Sequence, residues 1–410
     1  RERYPGEDPW SKEESPMRPV VVAGVGMIPF ERRDEDSLVD MLAAAGLNAM
    51  DDAGLGNLPV DSVYVGNMAS GLFNHQVSVA SALVDRLSLF PAAADRVENG
   101  PASGASAIKN GFLAVASGFN DIVLVVGGEK MREVIGPKAT DIVACMTHPE
   151  AEYIYGLTLP AMAGMFTRLY MEKYGVTREH LSMVAIKNQT NGLLNPYAHI
   201  QMKITMEGIL THPQSHVNSP IVADPIHLYD CCPVSDGAAA VLLTTEEIAK
   251  KLKKPMVTID GIGQATDTHT LQERSDPTDL KAVTLASEKA FKMAGIKPKD
   301  IDVAELHDAF TILEIAESEH AGFFPKGEGA KALERGETQI GGKLPINPSG
   351  GLKARGHPVG ATGVAQAVEI VWHLRGEAGE RQVKDAANGF TLNFGGFGNN
   401  VLALVLRRKS

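Results

Sequence analysis

One histidine, His357, lies among five glycines and two prolines in the stretch 347–363, Asn-Pro-Ser-Gly-Gly-Leu-Lys-Ala-Arg-Gly-His-Pro-Val-Gly-Ala-Thr-Gly. The apolar positions that follow, Val364, Ala365, Val368 and Ile370, repeat with helical spacing, so the glycines lead into a helix start. Glycine lets backbone approach a ligand closely, and a helix N-terminus turns free N–H groups and a positive dipole end toward it. An imidazole on such a loop can move a proton near neutral pH. The same local features also describe a structural histidine in a glycine-rich turn.

Three further blocks carry residue types of interest. Val97-Glu-Asn-Gly-Pro101-Ala-Ser-Gly104 precedes the helical pattern Ala107, Ile108, Phe112 and Leu113. Ala304-Glu-Leu-His307-Asp-Ala-Phe310 follows a strand-like run, and Asn393-Phe-Gly-Gly-Phe-Gly398 stands near the end of the chain. Together with the His357 block, and in this order, they resemble the thiolase superfamily, including its SCP2-type and archaeal acyl-CoA acetyltransferase-like members. Those enzymes make or break carbon–carbon bonds next to a coenzyme A thioester. The resemblance runs from Met17 to Arg408. It implies the thiolase fold, with the helix start at position 101 as the seat of the nucleophile. It also implies that the His307 block binds an oxyanion, that Gly395 offers a second backbone donor, and that position 393 corresponds to a second, acid/base cysteine.

The departures are chemical. Pro101 stands at the nucleophile position, Asn393 at the second cysteine and Ala309 where some relatives place another. Cys145, Cys231 and Cys232 match none of these positions; the last two precede Pro-Val-Ser-Asp-Gly-Ala, the start of a structural strand in the family. Acyl transfer needs a thiolate with a pKa lowered by a helix N-terminus. Proline has neither a nucleophile nor an N–H, although it suits the first turn of a helix. Ser103 and Ser106 read as capping or packing residues rather than replacements. With His307 and His357 retained, the resemblance implies aldol or retro-aldol chemistry on a 3-hydroxy- or 3-oxoacyl-CoA. Two other readings stay open: a 3-oxoacyl-CoA thiolase with a displaced nucleophile, and an inactive subunit of a hetero-oligomeric complex. Coenzyme A enters as the acyl-CoA substrate, with Ser349, Gly350, Lys187 and Arg132 as expected contacts. Lys203 is a further cation, and His148 and His212 are weaker candidates for the substrate tunnel. The resemblance also implies a homodimer and a small zinc-ribbon/OB-fold partner subunit.

The bulk properties agree. A chain of 410 residues with 44% apolar and 22% charged residues reads as a globular protein of two or more packed units. A net charge of −11 argues against nucleic acid and anionic membrane as partners. No run reaches the roughly 18 apolar residues of a membrane helix. Three cysteines without a Cys-x-x-Cys pair point to neither a disulfide framework nor a metal site, which reads as a cytoplasmic protein. Gly24-Val-Gly26 lacks the third glycine of a dinucleotide fingerprint.

The chain also repeats itself. Val20–Gly26 is echoed by Val257–Gly263. The helical stripe Leu38, Met41, Leu42, Ala45, Ala49 is echoed by Val283, Ala286, Ala290, Met293. Ile122–Gly128 corresponds to Thr391–Gly396 and Val401–Leu406. Alternating strand and helix signals predict a mostly parallel, helix-covered sheet in an α/β protein with duplicated βαβ halves, and the resemblance to thiolases implies that they are layered α-β-α-β-α. Residues 1–16 read as a disordered tail or an expression remnant. Residues 17–128 form the first half, 129–230 a loop domain over the active site with a helix at Leu157–Tyr174, 231–256 the return to the first half, and 257–410 the second half.

Overall fold

The computed structural model describes residues 17–210, 219–252 and 254–409; segment 1–16 and His212 lie outside them. The large sheet has nine strands: β1 Val20–Met27, β2 Ser62–Gly66, β3 Ala93–Val97, β4 Ile122–Lys130, β5 Asp236–Thr245, β6 Val257–Thr266, β7 Val303–Glu305, β8 Asn388–Gly395 and β9 Asn400–Arg408. Their order is β3-β2-β4-β5-β1-β6-β9-β8-β7. Read outward from the centre, β1-β5-β4-β2 in one half matches β6-β9-β8-β7 in the other, so the duplication is written in the strand order. The halves join where Val21 and Val22 pair with Thr258 and Val257.

The expectation of a mostly parallel sheet is corrected. β2 runs parallel to β3 and β4, and β8 to β7, but β1, β5, β6 and β9 make antiparallel ladders. Each half closes by doubling back: β8 turns into β9 within a few residues, and β5 returns along β4 after a long excursion. The short β8–β9 connection gives an antiparallel pair.

The helices that matter here are α1 Leu38–Ala53, α2 Ser103–Ala116, α3 Gly136–Ala144, α4 Leu159–Tyr174, α5 Arg178–Gly192, α6 Lys281–Ala294, α7 Thr311–His320 and α8 Val359–Arg375. Helix α1 starts at a Ser37–Asp40 capping box and stops at left-handed Gly54. Its repeat, α6, stops at Gly295 in the same way. The repeated glycines explain themselves by packing. A side chain on Gly24 or Gly26 would overlap the Ala49 or Ala45 carbonyl of α1, and one on Gly261 or Gly263 would overlap those of Ala290 or Ala286 of α6.

Helices α2 and α8, one from each half, lie at the centre of the molecule. α8 packs on α2 and on strands of both halves, and its buried residues run round its whole circumference. The two helices meet almost backbone to backbone: a Cβ on Gly104 would lie 2.7 Å from the Gly360 carbonyl oxygen, and one on Gly363 would lie 2.9 Å from the Ala105 Cβ. The excursion between β4 and β5 contains α3, α4, α5 and a small hairpin, Ile221–Ala223 with Ile226–His227. The helix expected at Leu157–Tyr174 is α4, capped by the Thr158 hydroxyl. Helix α5 buries Leu181, Val184 and Ala185 among apolar residues, and also Lys187, Asn188, Gln189 and Asn191 toward its end, so its buried side mixes apolar and polar residues. No helix among the described residues is long and apolar enough to cross a membrane.

The Gly104–Gly360 approach generates a stability prediction. Gly104→Ala is expected to cost about 1–3 kcal/mol, the usual range for overpacking a close contact. Denaturant unfolding checks it, and an unchanged midpoint would mean that the helices are not this close.

Candidate active site

The carboxyl end of β7 delivers His307, and the parallel register of β7 on β8 pairs Glu305 with Thr391. Two residues further on in each strand, the Asn393 amide nitrogen lies 3.0 Å from His307 Nδ1. The His307 ring stacks on Phe394 at 5.4 Å between centroids and 5° between planes. The His357 ring stands edge-on to His307 at 4.9 Å and 86°. Both imidazoles are buried, 2% and 7% exposed. The loop before α8 places His357: Gly356 has φ +108°, and a side chain there would lie 2.7 Å from the Ser235 hydroxyl.

The hydrogen bonds assign the ring protons. Thr362 donates its hydroxyl to Pro358 O at 3.1 Å, one turn back. Its oxygen then accepts from His357 Nδ1–H at 2.6 Å. His357 Nε2 is left with a lone pair. For His307 the roles are reversed: Asn393 donates to Nδ1, so Nε2 carries the hydrogen. The pair is thus one acceptor and one donor. Burial, and then the Arg355 charge, push His357 down to about 3. Burial, and then the His357 and Arg355 charges, push His307 well below the usual imidazole range. Both rings are neutral across the physiological range.

A polar floor holds these elements. Asn347, at φ +54°, accepts Leu306 N–H at 2.8 Å and donates to Glu314 at 2.8 Å. Ser349 donates its hydroxyl to Glu305 at 2.8 Å, and Arg355 donates to the same carboxylate at 3.1 Å. Lys187 donates to Ile346 O at 2.6 Å and pairs with Glu314 at 2.8 Å, both side chains buried. These contacts correct three expected coenzyme A contacts. Ser349 and Lys187 are already engaged inside the floor, and Gly350, at φ +95°, packs on the Gly192 backbone. A buried ammonium needs its carboxylate partner, which leaves Lys187 unable to serve a phosphate. Arg132 differs: it is partly exposed, and it donates to Val234 O at 3.2 Å beside the cavity described next. Lys203 is exposed and does not line that cavity. His148 accepts two backbone N–H groups in its own turn, at 3.2 and 3.1 Å.

A cavity of about 150 Å3 opens above the two imidazoles, and Pro101, Cys231 and Cys232 line it as well. Pro101 sits just before α2. The Ser103 hydroxyl closes the preceding turn onto Gly100 O at 2.6 Å, and Ser106 accepts from Asn99 at 3.1 Å, so both serines serve local structure. Asn393 is a holder of His307. Gly395 is paired with Asn400 in the ladder, and the next residue, Gly396, lines the cavity instead.

Sequence reasoning missed two features. Cys231 and Cys232 face the cavity because the Cys232 N–H is tied to Ala309 O at 2.9 Å, which brings the start of β5 against the His307 block. Burial pushes both thiols up to about 12, so they are protonated. The second feature is Glu129, at the end of β4. It accepts from Asn67 Nδ2, Met68 N, Ala69 N and Gly360 N at 3.0, 2.8, 2.9 and 3.2 Å. Burial pushes its carboxyl up to about 7. A charged residue continuing the apolar run Ile122–Gly128 was the available signal.

Two family descriptions match: "Thiolase, N-terminal domain" over residues 20–247 and "Thiolase C-terminal domain-like" over residues 263–408. An acetyl-CoA acetyltransferase of Methanothermobacter thermautotrophicus is 45% identical, over 96% of this chain and 100% of that protein. Sterol carrier protein 2 of Bos taurus is 36% identical, over 95% of this chain and 73% of that protein. Among solved structures, the "Ltp2-ChsH2(DUF35) aldolase" superposes with a TM-score of 0.82 at 27% identity, covering 96% of this chain and 98% of that one. With matches across both halves, and with the duplicated sheet and central helices already described, the chain belongs to the thiolase superfamily.

Proposed function

We propose that this protein is an acyl-CoA carbon–carbon lyase that works by retro-aldol cleavage, or the reverse aldol addition, without an acyl-enzyme. The observation that carries this reading is the cavity itself: proline lies at the helix start, and a neutral hydrogen-bond acceptor and a neutral donor face the same space. His357 Nε2 takes the C3 hydroxyl proton of a 3-hydroxyacyl-CoA as the C2–C3 bond breaks. The bond electrons pass to the thioester carbonyl, whose developing negative charge His307 Nε2–H stabilises. An aldehyde or ketone leaves from C3, and the proton on His357 returns to C2 of the enolate. Atoms balance with no other reactant. The likeness to a solved aldolase supports the reading. That aldolase is named together with a DUF35 component, which supports a small partner subunit here; a homodimer of this chain is proposed beside it. Arg132 is the remaining cation proposed to meet the coenzyme A phosphates.

A second reading, thiolysis through a displaced cysteine, is favoured by Cys231 and Cys232 lining the same cavity. Their burial argues against it, since a thiol held at about 12 is a poor nucleophile near neutral pH.

Four outcomes are expected. Incubation with a 3-hydroxyacyl-CoA releases a carbonyl compound and a shortened acyl-CoA, while intact-mass spectrometry finds no acylated protein. Cys231→Ser/Cys232→Ser retains activity within a few-fold; its loss together with a trapped thioester adduct would install the second reading. Thr362→Val lowers kcat by about 10- to 100-fold at unchanged thermal stability, part of the roughly 10²–10⁴-fold that a positioned base supplies. Because His357 is neutral above about 3, kcat/KM stays flat as pH falls from 8 to 5 and declines only below that. Profiles of the parent and Glu129→Gln separate any limb due to that carboxyl, and an acid limb near the ordinary imidazole value in both would contradict the assignment.

A further inference from the structure

Apart from the two imidazoles, the cavity is lined chiefly by apolar side chains. Met131, Val143, Met146, Leu159, Phe310 and Leu313 form an apolar part of its wall, contributed by α3, α4 and α7 and by the loops next to β4, α3 and α7. Among the described residues that line it, none is Asp, Glu, Lys or Arg. A carboxylate or phosphate placed there would lose its hydration without gaining a counter-ion, which a buried charge does not tolerate. At about 150 Å3, the cavity as a whole, reacting carbons included, has the volume of an apolar cavity known to hold one benzene molecule, which caps the size of any group that enters it.

We infer that the apolar side of this cavity receives the C3 side group of the substrate, and that the group is uncharged, apolar and at most of ring or branched-chain size, up to about six carbons. The inference rests on the retro-aldol reading, in which C3 lies beside His357. The carbonyl compound released is then an aromatic or branched aldehyde or ketone, rather than acetaldehyde or an oxo acid. A methyl group would leave the apolar wall partly uncovered, and the wall would forfeit those contacts. Val143, on α3, is one of the residues of that wall.

The test compares 3-hydroxybutanoyl-CoA, 3-hydroxy-3-phenylpropanoyl-CoA and 3-hydroxyadipyl-CoA with the full chain and its partner subunit, if one co-purifies. The phenyl substrate, which yields benzaldehyde and acetyl-CoA, is expected to exceed the methyl one in kcat/KM by at least about 10-fold, the discrimination that a single hydrophobic methylene can already provide. The adipyl substrate should not be cleaved. Val143→Phe should lower the phenyl-to-methyl ratio of kcat/KM by about 10-fold or more, and its thermal unfolding midpoint reports on folding. Calorimetry with 3-phenylpropanoyl-CoA and butanoyl-CoA, which cannot be cleaved, separates the two claims. Tighter binding of the phenyl compound with no cleavage of any substrate would uphold the chamber and overturn the retro-aldol reading. Cleavage with equal preference for methyl and phenyl would uphold the reading and overturn the chamber. Equal loss of all substrates in a folded Val143→Phe protein would show that the pantetheine arm, not the C3 group, occupies the space.

Discussion

The near-contact of α2 and α8 is the constraint on which the rest depends. Each helix comes from a different half of a duplicated chain, and each begins at a turn that carries a residue of chemical interest. Because Gly104, Gly360 and Gly363 remove the side chains between them, the two helices cross with their first turns side by side. That places the Pro101 turn and the His357 loop at one cavity. Glu129 reinforces the arrangement from the sheet, since its carboxyl gathers backbone N–H groups from the loop after β2 and from the first turn of α8. A change that separated the helices by the width of one methyl group would move both ends of the site.

Burial then sets the chemistry. Two imidazoles in apolar surroundings, close to an arginine, cannot both hold a proton, and neither does. Their outer partners decide what each offers: Thr362 makes His357 an acceptor, and Asn393 makes His307 a donor. Desolvation acts on the neighbouring sulfurs in the same direction, toward the neutral form. The cavity therefore favours proton transfer between neutral groups over attack by an anion.

The fold was legible where the pattern was repetitive. Paired glycines on β1 and β6 and paired alanines on α1 and α6 gave the duplication, because strand and helix must touch there. The strand directions were not legible, since apolar runs such as Asp236–Thr245 are equally apolar in parallel and antiparallel ladders. Helix α5 was invisible because its buried side is mixed: Leu181 and Val184 join the apolar core, while Asn188 and Asn191 bond Glu314 and Asn347, which blurs the apolar stripe. In the site, His307, His357, Asn393 and Pro101 were readable from four short blocks. Lys187, Ser349 and the two adjacent cysteines were misjudged for a common reason: sequence gives the type of a residue but not which buried partner it has already found.

The duplicated architecture leaves the two halves unequal in what they can lose. The Pro101 turn opens a helix whose backbone position is secured by glycine contacts with α8, not by whatever side chain stands at its tip. A substitution there can remove one chemical group while leaving the scaffold, and the imidazole pair supplied by the other half, intact. A duplicated fold of this kind lets one half change its trade without the other having to relearn its own.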